Sequence, residues 1–509
     1  MEQPLPTALL KADAFPHAVQ PLRLIETALS WVILTGEYAY KIKKPLHTDF
    51  VDASSLERRH FLCRQELQLN QRFSQGLYLR VAAIGIDERG MGIDRGEHAI
   101  EYAVQMRQFE ESQVLASALS HSSVSPAEMC QFGADLARVH RDASAAPPCP
   151  TYGTGALIQA QILANFSPLR TALQTDSVAS RCLDVLEGWI HTALDQSQCS
   201  MASRRSHGYV RECHGDLHAG NVVHWNGRWQ PFDCLEFDPA LRWIDVISDV
   251  AFLFMDLHAR ERPALGYAAL NGYLEHSGDY EGLPLLPLYC VYRALVRAKV
   301  AALSQQFSEV HRYLRVAQAM AGTQHGVLIL MHGVTASGKS VLSAQLALEL
   351  PAIRIRSDRE RRRIECNQTP YSANAMQRTY RRLQSCAQST LDAGYSAIID
   401  ATFLERSRRL EFEMLAQQRH SPLIVVSCEA PLKVLEQRLR ERQVRGNDPS
   451  EATADVLAAQ WHHRQPFDTA ERTHVVVIDT TSAQSVTSGI EAVCAHARSA
   501  QGRAKILAS

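Results

Sequence analysis

The sequence predicts two halves of different class. The first is an α+β half with a small mixed β lobe and a larger helical lobe; the second is an α/β half on a parallel sheet. Three observations predict this. At 509 residues the chain is too long for a single hydrophobic core. Runs of β type precede Gln105, and mostly helical patterning then continues to about Ala321, broken by Pro147, Pro148 and Pro150. From Val327 onward strands and helices alternate, as parallel strands with crossover connections require. The boundary falls in the small-residue stretch Ala321 to Gly326, giving domains 1–324 and 325–509.

Composition narrows the class. Hydrophobic content of 46% and charged content of 21% are those of an ordinary globular protein. A net charge of -1 favours neither nucleic acid nor an anionic membrane as partner. The 12 Cys are scattered without C-x-x-C pairs, which fits reduced thiols. The N-terminus lacks the basic start and apolar core of a signal peptide, and no apolar run approaches the ~20 residues that span a bilayer. A cytoplasmic protein without a membrane partner is expected.

In the first half, Ser30 to Thr35 and Glu37 to Lys43 form two strands joined tightly at Gly36. Lys41 and Lys43 share one face of the second strand, either to hold phosphates or simply as solvated lysines. Leu56 to Gln75 is a predicted helix carrying Glu66, with Glu57 as a competitor. A strand lysine followed by a helix glutamate is the ion-pair arrangement of kinases. Strands follow at Leu79 to Asp87 and Ile100 to Gln105, with Met106 to Phe109 as the connector where adenine would lie.

The stretch Cys213-His214-Gly215-Asp216-Leu217-His218-Ala219-Gly220-Asn221 fits the catalytic-loop pattern H-x-D-L-x-x-x-N. Asn226-Gly227 makes a hairpin turn that brings Asp233 back beside Asn221. In that reading Asp216 accepts the proton of an attacking hydroxyl, while Asn221 and Asp233 hold Mg2+ on the phosphates of ATP. The competing reading is a transition-metal loop of Cys213, His214 and His218. Helices run from Leu241 to about Ala321. Asp245 and Asp249 sit one helical turn apart, one of them to orient the loop unless both face solvent.

These residues, with Phe232-Asp233, Asp249, Tyr40 to Pro45 and Glu101 to Met106, resemble the aminoglycoside phosphotransferase-like branch of the kinase-like superfamily, in a bacterial subgroup of it. The resemblance covers roughly residues 20 to 310. It implies a kinase-like fold, with Lys41 and Glu66 at the nucleotide. A G-x-G-x-x-G loop is missing, Gly215 replaces the arginine of protein kinases, and Cys234 stands where they have phenylalanine. The departures imply a small-molecule acceptor and no control by activation-loop phosphorylation.

In the second half, the apolar strand Val327 to His332 runs into Gly333-Val334-Thr335-Ala336-Ser337-Gly338-Lys339-Ser340, a full G-x-x-x-x-G-K-S match followed by a helix from Val341 to Glu349. Backbone N–H groups and the helix N-terminus cradle phosphate there, and Ser340 can ligate Mg2+. Further strands are predicted at Ile353 to Arg356, Ala397 to Ile399, Leu423 to Ser427 and Val475 to Ile478. Asp358 follows the second of these five strands, as general base, as a helix N-cap or as both; Arg362 stands one turn on to hold an anionic substrate. Asp400 ends the third strand, as a magnesium-binding acid or as a structural one. Arg438, Arg442 and Arg445 before Gly446-Asn447-Asp448-Pro449 are either a lid over the transferring phosphate or a solvated basic face. Arg359 to Arg363 and Tyr380-Arg381-Arg382 could bind phosphate groups, those of a nucleic-acid end included, but acids interrupt the first and together they fall short of a clear basic stripe; His462-His463 is expected to be structural.

This half resembles small P-loop kinases related to zeta toxins, gluconate kinase and polynucleotide 5'-kinases, over about residues 326 to 482. An AAA-type motor is disfavoured because Ala401, not glutamate, follows Asp400. The tail from Arg498 is expected to be loose. Together the halves predict an ATP-dependent phosphotransferase with two nucleotide sites, acting on hydroxyl groups of small molecules. The rivals are a nucleotide-responsive regulatory protein with one idle half, and a 5'-hydroxyl nucleic-acid kinase through the second half.

Overall fold

The computed structural model describes residues 5–48, 51–121, 124–145, 147, 149–322, 325–364, 373–445 and 453–508. They divide into two compact units. One comprises Met1–Glu128, Val139–Ala160 and Met201–Asp256; the other comprises Met129–Arg138, Gln161–Ser200 and Leu257–Ser509.

In the first unit, strands β1 (Arg23–Glu26), β2 (Ser30–Leu34), β3 (Tyr38–Lys43), β4 (Tyr78–Asp87), β5 (Gly90–Ile93) and β6 (Glu101–Arg107) form a sheet in the order β1-β2-β3-β6-β4-β5. The lobe expected to be mixed is antiparallel at every pairing, because β1–β2, β2–β3 and β4–β5 are hairpins and β6 inserts between β3 and β4. Sequence patterning misses β1, which is largely exposed, and β5, whose Gly-Met-Gly-Ile lacks strand formers. Ile33, Tyr40, Ile42, Ala82, Ile84 and Ala103 build the core on one face of this sheet.

Helix Leu56–Asn70 begins at Ser55, whose hydroxyl accepts the Arg58 N–H. It stops short of the expected Gln75: the Asn70 amide turns back to the Glu66 carbonyl, and its Oδ1 accepts the Cys234 N–H. Later in the unit, β7 (Val210–Glu212) leads into the loop at Asp216. The hairpin of β8 (Val222–Trp225) and β9 (Arg228–Pro231) then turns at Asn226 and Gly227, both at positive φ. The region expected to be helical from Leu241 begins instead with a four-residue helix and a strand, β10 (Trp243–Asp245), paired with β7. Helix Val246–Ala259 follows.

The second unit holds a five-stranded sheet of β11 (Leu328–His332), β12 (Ala352–Arg356), β13 (Ser396–Asp400), β14 (Leu423–Glu429) and β15 (Val475–Asp479), parallel throughout in the order β12-β13-β11-β14-β15. One face packs Ile329, Met331, Ile398 and Val426 against Leu342, Leu346 and Val493 of helices Lys339–Glu349 and Ala483–Ala508. That last helix carries the chain past Arg498, where a loose tail was expected; Cys494 and Ala497 bury its inner face. Helices Pro263–Ser277, Leu286–Leu303 and Phe307–Ala321 belong to the same unit as this sheet. Among the described residues no helix is long and apolar enough to cross a membrane.

Candidate functional site

Lys41 on β3 is the junction of the first site. Its ammonium donates to Glu66 Oε1 at 2.8 Å and to Asp233 Oδ1. Lys43, two residues on, reaches the other Glu66 oxygen at 2.5 Å and also pairs with Glu236. Glu66 is fully buried between the two lysines, so the competitor Glu57, on the exposed side of the helix, has no part in this site. Burial pushes the Lys41 ammonium down, but Asp233 and Glu66 outweigh it and hold the group well above its ordinary value. Glu66 responds oppositely: burial raises it, and the lysines pull it below the usual carboxylate range.

The loop and the hairpin after it deliver three oxygen-bearing side chains, Asp216, Asn221 and Asp233. Asn221 Nδ2 donates to Asp216 Oδ2 at 3.0 Å and to the Asp216 carbonyl at 2.9 Å. The Phe232 N–H donates to the Asn221 carbonyl, so the hairpin closes as its turn residues predict and sets Asp233 at its mouth. Asp216 and Asp233 keep roughly two-fifths of their side chains exposed, at 37% and 41%. Carboxylates and a side-chain amide oxygen are the hard donors that suit Mg2+. Asp233 sits at φ 60, held there by the Tyr78 hydroxyl accepting its N–H at 3.0 Å. Tyr78 was not legible, because it acts through a backbone contact.

Asp249 orients the loop. Its two oxygens accept the His214 and Gly215 N–H groups at 3.1 and 2.9 Å, and His140 stands 3.1 Å from Oδ2. Asp245 is not its helical neighbour: it lies on β10 and pairs with Arg204 at 2.7 and 2.9 Å. Among the described residues the ligand atoms of Cys213, His214 and His218 do not gather; Cys213 lies instead with His140 and Asp249. Cys213 Sγ faces the Ile244 carbonyl, His214 Nε2 the Phe232 carbonyl, and His218 Nδ1 accepts the Gly220 N–H. Burial raises the Cys213 thiol far above its ordinary value.

The expected connector carries Phe109, whose ring meets Phe232 edge-on at 5.1 Å; with Val32 and Leu34 they join a partly buried apolar cluster around Ala39 and Met106. Gly36, at φ +100, makes the β2–β3 turn, and its N–H donates to Gln108 Oε1 of the connector at 2.8 Å.

In the second unit the loop 333–340 runs from β11 to helix Lys339–Glu349 with Gly333, Ala336 and Gly338 at positive φ. A Cβ at Gly333 would stand 2.7 Å from the Cys428 carbonyl oxygen, so only glycine fits. Lys339 is buried, its ammonium on the Val334 carbonyl at 2.7 Å, and burial lowers its pKa against the pull of Asp400. Ser340 Oγ lies 3.4 Å from Asp400 Oδ1, a hydroxyl and an acid that suit a magnesium and one of its waters.

A cavity of about 470 Å³ opens over this loop, walled by Thr335, Ala336, Gly338, Lys339, Ser340, Asp358, Asp400, Arg438 and Arg442. Asp358 thus faces the loop, and it lies within helix Ser357–Ile364 rather than capping it. Arg361, not Arg362, forms the cavity wall beside Asp358, at 3.4 Å. Arg438 is anchored on the Thr480 carbonyl and hydroxyl at 2.7 and 3.0 Å. The Arg445 side chain and Gly446 to Pro449 lie outside the described residues. Arg359, Arg363 and Arg382 are engaged by Glu275, Glu360 and Glu281. His463, exposed, bonds the Ala459 carbonyl within its own helix.

A family model described as an AAA domain matches residues 328–467. That span is the P-loop core; the acid a motor would carry after Asp400 is absent, since Ala401 stands there. Uncharacterized proteins of Mycobacterium tuberculosis and Mycobacterium bovis are 31% identical over 481 residues, covering 90% of this chain and 94% of each relative. Among solved structures, the GDP complex of an aminoglycoside 2'-phosphotransferase covers 60% of this chain and 94% of its own, at 13% identity and TM-score 0.37. A sugar kinase from Janibacter covers 35% and 98%, at 19% identity and TM-score 0.28. Family match and parallel sheet agree on a P-loop second half, and the catalytic-loop motif with the Lys41–Glu66 pair marks the first half as kinase-like.

Proposed function

We propose that this chain, which belongs to one family with the mycobacterial proteins that match nearly its whole length, is an ATP-dependent phosphotransferase with two nucleotide sites. The observation that carries the reading is Lys41 bridging Glu66 and Asp233, with Asp216 and Asn221 on the adjoining loop. Five residues from four separate stretches of sequence meet with complementary charge, and each has a task in phosphoryl transfer.

In the first site Lys41 would hold the phosphates of ATP, with Glu66 fixing its ammonium. Asn221 and Asp233 would hold Mg2+, which supplies charge neutralisation at the phosphate oxygens. Asp216, steadied on one oxygen by Asn221, takes the proton of the acceptor hydroxyl. The freed oxygen bonds the terminal phosphorus as the bond to ADP breaks. The rim of Val32, Leu34, Phe109 and Phe232 offers the base an apolar seat.

In the second site the backbone of 333–340 with Lys339 would take the phosphates, Ser340 and Asp400 the magnesium, and Arg438 and Arg442 the negative charge of the transferring group. Asp358 is placed to accept a hydroxyl proton from an acceptor beside Arg361. A hydroxyl-bearing small molecule is favoured over nucleic acid because Arg359, Arg363 and Arg382 are committed to acids. We place the protein in the cytoplasm, a reading supported by free thiols at every described cysteine. The halves 1–324 and 325–509 remain the two modules of chemistry.

Purified chains carrying Asp216→Asn, Lys339→Ala or both, assayed for ATP turnover against a metabolite panel, test the reading. Each single change should remove one set of acceptors, and the double change all of them. Unchanged turnover in the double variant would sink it.

A further inference from the structure

The edge of the parallel sheet is held by an element from before the P-loop. β12 is an edge strand, and helix Pro263–Ser277 lies along it. Asn271 Oδ1 accepts the Arg354 N–H at 2.7 Å, and its Nδ2 donates to the Ala352 carbonyl at 3.0 Å. Those are the two backbone groups, two residues apart, that one residue of a neighbouring parallel strand would engage. A side-chain amide thus stands in for a sixth strand. One turn further, Glu275 pairs with Arg356 and Arg359 at 2.7 and 2.9 Å.

The strand held in this way carries Arg354, whose guanidinium reaches the P-loop site. Nη2 donates to Asp400 Oδ2 and to the Ser340 carbonyl, each at 2.8 Å, and Nε donates to Ser343 Oγ at 2.9 Å. Ser343 Oγ also donates to Asp400 Oδ2, at 3.0 Å. One oxygen of Asp400 is therefore fully engaged from behind, and Oδ1 alone is left toward Ser340.

We propose that Arg354 is a positioning residue for Asp400, and that helix Pro263–Ser277, through Asn271, sets Arg354. The inference rests on the P-loop reading above. Positive charge beside a metal-binding acid weakens cation binding by electrostatics alone, so removing Arg354 should tighten binding if charge is all it supplies. Positioning predicts the opposite sign. Without the guanidinium, only the Ser343 hydroxyl and the more distant Arg356, at 4.0 Å, still hold that oxygen, and Asp400 can turn toward the nearby Lys339 ammonium. Partners behind metal-binding groups are typically worth about 10–100-fold in metal affinity.

The test uses the full chain in a Lys41→Met, Asp233→Asn background, which removes the phosphate-holding and metal-holding groups of the first unit. Mn2+ binding in the presence of ADP is read by electron paramagnetic resonance, and ADP binding without metal by calorimetry. Arg354→Met and Asn271→Leu should each weaken Mn2+ binding, by about tenfold for the first, while metal-free ADP affinity stays within about twofold. Arg354→Lys, which keeps a donor, should recover part of the loss. Metal-free ADP binding also reports that each variant is folded. Unchanged or tighter Mn2+ binding in either variant overturns the proposal, and so does a loss of metal-free ADP binding by Arg354→Met and Arg354→Lys alike. Lys339→Ala separates the premise: if it keeps its ADP affinity, the P-loop reading itself has failed.

Discussion

Lys41 and Lys43 looked equivalent in the sequence, two residues apart on one strand face, and the structure divides their work. Both touch Glu66, but Lys41 goes on to Asp233 at the open loop, whereas Lys43 is buried against Glu236. Lys41→Met should therefore lower turnover at the first site by about 10²–10³-fold, the usual cost of one stabilising donor. Lys43→Met should instead act on stability, because it strands Glu236 as a buried charge; breaking such a pair costs about 3–5 kcal/mol. Urea unfolding beside a turnover assay separates the two. Residue chemistry and the pairing with Glu66 were legible here, while Glu236 was not, since it is almost two hundred residues away. The same cluster dictates a pH response. Glu66 is held below its ordinary value of about 4.3, so its stabilising contribution is complete above that pH and is lost as pH falls through the folded value. Lys41 is held above its ordinary value of about 10.4, so its contribution is complete below that pH and is lost only as pH rises beyond. The stability gap between the native chain and Glu66→Gln should be flat from about pH 5 to 9 and shrink below about pH 4. A gap that widened on acidification would contradict this assignment.

At the scale of the element, the two glycines of the loop and hairpin show what a motif encodes. Gly227 sits at φ +75 with open space where a Cβ would be, so it serves the turn and nothing else. Gly215 sits at φ +85, and a Cβ there would stand 2.8 Å from the Leu241 carbonyl oxygen. That contact is the physical reason why the arginine of protein kinases has no counterpart here: this backbone admits no side chain. Gly227→Ala should cost about 1–2 kcal/mol of strain and leave turnover intact. Gly215→Ala should cost more and also lower turnover, because the relief must come from the segment that carries Asp216. Denaturation midpoints paired with initial rates distinguish these outcomes. The hairpin and the P-loop were legible because turn chemistry and phosphate cradles are local. The strands β1, β5 and β10 were not, since pairing rather than composition makes them strands.

At the scale of the whole molecule, chain order and packing part company. A boundary after residue 324 follows the motifs, yet the compact unit that holds the P-loop also takes in Leu257 onward, with Met129–Arg138 and Gln161–Ser200. No local pattern announces this, because Asn271, Glu275 and Glu281 are unremarkable polar residues on helical surfaces until β12 and Arg382 meet them. Their absence has a consequence that can be measured. A fragment starting at residue 325 retains the whole G-x-x-x-x-G-K-S loop and all five strands but loses both backbone bonds along β12. At about 0.5–1.5 kcal/mol for each hydrogen bond, the direct loss is about 1–3 kcal/mol. The bare edge then adds a template for pairing with other chains. The fragment should melt below the full chain and aggregate with a concentration dependence the full chain lacks, as read by thermal unfolding and light scattering. Charged substitutions on that edge, such as Ile353→Lys, are no fair rescue, because Ile353 is in the core. Supplying helix Pro263–Ser277 by starting the chain at residue 257 is the fair one, and it should recover part of the lost solubility. If the shorter fragment proved as soluble and as stable as the full chain, the sheet edge would need no such cover. The motif boundary would then also be the physical one.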